Sequence, residues 1–153
     1  MTVAELREEI SIELELMEET VRELSALQRD AGAREPTVRE KTAAAGFMAQ
    51  FYGGVENILK RISRFHGVQI PTGDTWHIDL FKRFSTPSQQ PLPVLFDNSL
   101  ATGMAAFRKF RHVVHHGYGF QLDWSRMQEG MASIENIFMK FKSTVNEYLR
   151  SMK

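Results

Sequence analysis

Residues 3–30 read VAELREEISIELELMEETVRELSALQRD. Leu6, Ile10, Leu14, Met17, Val21, Leu24 and Leu27 recur at gaps of three and four, which lays one apolar stripe along a helix of about 3.6 residues per turn. The remaining positions are rich in glutamate and read as a solvated face. A helix this long needs another helix to cover its stripe, so the stretch commits the chain to a helical fold.

Working outward, Gly32 and Pro36 break the pattern. Thr37-Val-Arg-Glu40 has the form of a capping box, with a hydroxyl and a carboxylate three residues apart satisfying free N–H groups at a helix start. A second long helix is predicted from there to about Phe65, stopped by Gly67. Its small residues, Ala43–Gly46 and Gly53–Gly54, offer places for a neighbouring helix to come close. Asp74 is expected to cap a short helix through Trp76, Ile78, Leu80 and Phe81. Pro87, Pro91 and Pro93 mark residues 85–96 as an irregular loop. Asp97 or Asn98 should begin a third main helix ending before Gly117. Asp123 should cap a last one over roughly 125–150, with Met127, Met131, Ile134, Phe138, Phe141, Val145 and Leu149 facing inward. The expected fold is all-α: an up-and-down bundle of four main helices plus one short helix.

The chain has 153 residues, the usual size of one domain, so a single helical domain over 1–153 is expected. No apolar run approaches the ~18 residues a membrane span requires. Met1 to Ile10 is charged and lacks the apolar block of a signal peptide. With no cysteine there are no disulfides, thiolate metal ligands or thiol nucleophiles. A cytoplasmic protein is the expectation.

Net charge is zero but unevenly placed. Residues 1–40 hold 11 acidic against 5 basic side chains, and residues 41–153 hold 8 against 14. Between Asp97 and Asp123 there is no acidic residue at all. A chain-wide argument for nucleic-acid binding therefore fails, while a local one stays open.

The local one falls on residues 104–116. On a helical wheel, Ala106, Phe107, Phe110, Val113 and Val114 group on one side, and Arg108, Arg111, His112, His115 and His116 on the other. Guanidinium forks match phosphate geometry and imidazoles titrate near neutrality, a pairing suited to binding a phosphodiester and moving protons on it. Zinc is the competing chemistry, because His112 and His116 stand at i, i+4. The flanking arginines oppose a dication, and no third ligand lies nearby in sequence. His66 and His77 stand alone near helix ends and read as structural. Trp76 and Trp124 read as core or interface residues.

The string Arg111-x4-His116-x-Tyr118, at the C-terminal end of a helix in a small helical chain, resembles the HEPN superfamily, and within it the HepT toxins of MNT/HepT toxin–antitoxin systems. His112 matches the polar residue that follows the family's arginine. The resemblance implies a homodimeric, cofactor-free ribonuclease, toxic through cleavage of tRNA or mRNA, in which the RNA 2′-hydroxyl attacks its own phosphate. Arg111 would stabilise the phosphorane and His116 would serve in proton transfer. Arg108, His112 and His115 would contact substrate or support the site, with His115 in reserve for the proton-transfer role. Tyr118 would be the tyrosine that the MNT nucleotidyltransferase antitoxin modifies with AMP. The competing reading is a non-catalytic helical substrate-binding or adaptor partner of a small nucleotidyltransferase.

Overall fold

The computed structural model describes residues 1–116 and 122–152, except for the side chains of Val113, His115 and His116. Five helices follow in order: α1 (Val3–Ala31), α2 (Val38–Phe65), α3 (Trp76–Lys82), α4 (Asn98–His116) and α5 (Trp124–Ser151). Among the described residues there is no strand, only an isolated bridge between Ser85 and Phe96. The fold is thus the all-α bundle of four long helices and one short one. None of its described helices is long and apolar enough to cross a membrane.

The helix ends follow the chemistry of their caps. At Thr37 the hydroxyl accepts from the Glu40 N–H, and the Glu40 carboxylate accepts from the Thr37 N–H. Glu40 also takes a two-pronged bond from Arg34. That guanidinium, with the Thr37 N–H second, holds the carboxyl down at about 2. An equivalent box joins Thr2 and Glu5 at the head of α1, and its hydroxyl-to-carboxylate spacing is the same. Asp97 accepts from the Leu100 N–H and Asp123 from the Ser125 N–H, as expected.

Asp74 does not cap α3. Thr75 occupies the cap position, and its hydroxyl is turned to donate to Asp79. Gly73, at φ 96°, makes the bend that carries the chain past Asp74.

The core is where the two long stripes meet α2. From Leu6 to Leu24 and from Met127 to Leu149 the expected inward residues are buried, with Leu27 at the margin. Helix α2 packs against each of the other four helices. Consequently it is buried on nearly every side, including at Glu56 and Ser63. At Gly54 a Cβ would lie 2.5 Å from Met17 Cγ, so the missing side chain is what lets α1 lie against α2. Phe51 meets Phe107 edge-on at 5.2 Å and Phe138 at 6.2 Å, joining α2, α4 and α5. The 85–96 segment is irregular, as its prolines imply, yet it feeds the core with Leu92, Leu95 and Phe96. The Leu95 and Phe96 N–H groups share the Phe84 carbonyl.

At the far end of α2, His66 meets the Tyr148 hydroxyl at 2.5 Å. Burial pushes that phenol up to about 12, so it stays protonated and can donate to the imidazole. His66 thus ties the end of α2 to α5 through Tyr148.

Candidate functional site

Helix α4 carries the site, but its faces are not divided as the wheel implied. Ala106 is exposed, and the buried stripe runs Leu100, Met104, Phe107. Arg111 continues that stripe, four residues past Phe107, and therefore points between α2 and α3 rather than to open solvent. Its side chain is only 24% exposed.

What meets it there is a carboxylate. Glu56 of α2 is 3% exposed, and its Oε1 lies 3.3 Å from Arg111 Nε. The other oxygen, Oε2, is hydrogen-bonded to His77 Nδ1. His77 Nε2 in turn lies 3.0 Å from Arg111 Nη1. Three helices therefore contribute one closed cluster of carboxylate, imidazole and guanidinium. A buried charge of this kind is tolerated only when it is paired, and Glu56 is paired twice. Beneath it the Tyr52 hydroxyl is fully buried with no hydrogen-bond partner among the described residues. Burial, reinforced by the neighbouring Glu56 charge, pushes that phenol far above its ordinary range.

Aromatic and cationic groups edge the cluster. Trp76, the first residue of α3, has its ring 3.4 Å from the His77 ring. Lys60 Nζ sits 4.4 Å from the Trp76 ring, and the Arg111 guanidinium carbon 5.9 Å. Arg108 lies over Phe81 at 5.5 Å. Between α3 and α4 opens a cleft of about 720 Å³ lined by Asp74, Trp76, His77, Arg108, Arg111 and His112, among others.

The structure thus brings Arg108, Arg111 and His112 to one cleft. His115 and His116 end α4, but their side chains lie outside the described residues, as does the whole of Tyr118. Among the described residues no three His, Asp or Glu side chains converge as a metal-ligand set. The pairing of His112 with His116 reaches beyond those residues.

A family model described as HepT-like protein matches residues 43–152. The chain belongs to the HepT-like family. The match spans most of α2 and all of α3, α4 and α5. Helix α1 and its glutamates fall outside the matched segment. Comparison with curated proteins and with solved structures gives no match.

Sequence reasoning missed Glu56, His77 and Trp76 as members of the site. Glu56 did carry a signal. It is the only acidic residue between Glu40 and Asp74, and it falls on the buried side of the helix with Val55, Ile58 and Leu59. A lone acid in such a place needs a buried cation, and Arg111 is that cation.

Proposed function

We propose that this HepT-like protein is a metal-independent endoribonuclease, the toxin of a toxin–antitoxin pair, acting on tRNA or mRNA as a homodimer in the cytoplasm, with residues 1–153 forming one domain. The observation that carries this reading is the Arg111 guanidinium, the arginine of the family motif, set in a cleft that Arg108, Lys109 and Trp76 also line. Two of its nitrogens are engaged by Glu56 and His77. A guanidinium has five N–H donors, which leaves capacity for a phosphate.

In this reading the O2′–P bond forms as the P–O5′ bond breaks, leaving a 2′,3′-cyclic phosphate and a 5′-hydroxyl. Arg111 stabilises the negative charge that grows on the phosphorane. His116 serves in proton transfer. Arg108, His112 and His115 contact the RNA backbone, and no cofactor is needed.

Incubation of the purified protein with RNA in EDTA tests this directly. Cleavage should persist, and the new ends should be cyclic or 3′-phosphates. Loss of cleavage in EDTA, restored by zinc, would transfer the chemistry to a His112/His116 metal site.

One observation favours the other reading, a non-catalytic helical substrate-binding or adaptor partner of a small nucleotidyltransferase. Glu56 offsets the charge of Arg111, as a purely structural cluster would also do. Absence of cleavage under every metal condition would select that reading.

Control is assigned to Tyr118, two residues past His116. An AMP attached to its phenol would bring a phosphate to the arginine-rich face and fill the cleft with its adenosine. Co-expression with an MNT-type nucleotidyltransferase should add one adenylate to the intact mass, and Tyr118→Phe should abolish the increment. An increment retained by Tyr118→Phe would place the acceptor elsewhere.

A further inference from the structure

Resting on the ribonuclease reading, we propose that His77, oriented by Glu56, is the base that takes the proton from the attacking 2′-hydroxyl. A guanidinium has only donors, so His77 Nε2, 3.0 Å from Arg111 Nη1, must accept. The imidazole is therefore neutral, and its one proton is on Nδ1, donated to Glu56 Oε2. A buried carboxylate thus fixes both the tautomer and the ring plane, as the aspartate does in a hydrolytic triad.

The basic nitrogen is turned towards Arg111, and both side chains line the same cleft. A phosphate oxygen that takes the Nη1 donor leaves the Nε2 lone pair beside the bound phosphate. The 2′-hydroxyl sits on the ribose carbon next to the one bearing that phosphate, and so within reach. In the step, Nε2 takes the 2′ proton, O2′ bonds to phosphorus, and the P–O5′ bond breaks. The 5′-oxygen takes a proton from His116. His77 is left as an imidazolium against the Glu56 carboxylate and returns its proton to water, so no further reactant is required.

His77 reaches Arg111 from α3 of the same chain, so the base and the guanidinium need no second subunit to meet.

The test is single-turnover cleavage of a short RNA in EDTA, using an ordinary phosphodiester and one whose leaving oxygen is replaced by sulfur. Sulfur departs without an acid, so the pair of substrates separates base from acid. His77→Gln should slow both by about 10²–10⁴-fold, while His116→Ala should slow only the oxygen ester. Added imidazole should restore part of the rate of His77→Ala. Wild-type rates for His77→Gln on both substrates would overturn the assignment and leave the ribonuclease reading standing. So would recovery of His77→Gln on the sulfur ester, which would make His77 the acid. A wild-type protein that cleaves neither substrate would sink both proposals together. Should His77→Gln fail to fold, the isosteric Glu56→Gln carries the test. Its kcat should fall with KM unchanged, and an unchanged kcat would overturn the assignment.

Discussion

Arg111→Ala should lower the single-turnover rate of RNA cleavage by about 10²–10³-fold, the usual loss when a donor aimed at developing negative charge is removed. The effect should fall on the chemical step more than on binding, because Arg108 and Lys109 still offer charge to the backbone along the same cleft. Arg111→Lys should recover little. A lysine restores the charge but not the planar fork that meets Glu56 and His77 while presenting further donors. The measurement is cleavage at saturating protein, with helicity followed by circular dichroism on the same samples. A folded Arg111→Ala protein that cleaves at the wild-type rate would remove the motif's arginine from the chemistry.

Glu56→Ala should lower the free energy of unfolding by about 3 kcal/mol, near the low end for breaking a buried ion pair. The low end applies because Arg111 and His77 keep about a quarter of their side-chain surface in water, which screens the charge left behind. Glu56→Gln should cost less, since the amide oxygen can still accept from one partner. Urea unfolding at fixed pH reads the difference as a shift in midpoint at constant slope. A midpoint within error of wild type would show that water, not Glu56, carries the charge of Arg111.

Both predictions depend on a cluster that was only half legible in the sequence. The stripes from Leu6 to Leu24 and from Met127 to Leu149 could be read because burial on one face imposes a period that survives in the letters. The caps at Thr37 and Asp123 could be read because their chemistry is local. Arg111, His116 and Tyr118 could be read as a motif, and the HepT-like match bears out the family it pointed to.

Glu56 and His77 could not be joined in the same way. They are separated by 21 residues, and His77 and Arg111 by 34, on three different helices. No periodicity connects such positions, and only the packing of α3 against α2 brings them together. Asp74 failed as a cap for a smaller reason, since one residue of loop geometry passed the position to Thr75. The charge of Arg111 points to the polar face, whereas its spacing from Met104 and Phe107 sets it on the buried stripe.

The six-residue connection between α1 and α2, residues 32–37, bears on how the cluster comes into being. Closing so short a loop costs little chain entropy, and this pair forms the most extensive helix contact in the molecule. Contacts local in sequence form fast, so a hairpin formed ahead of the rest would keep Glu56 hydrated until α4 brings Arg111. Packing of α4 on α2 both strips water from that carboxylate and supplies its counter-charge. The cleft and its charge balance thus rest on one and the same helix interface.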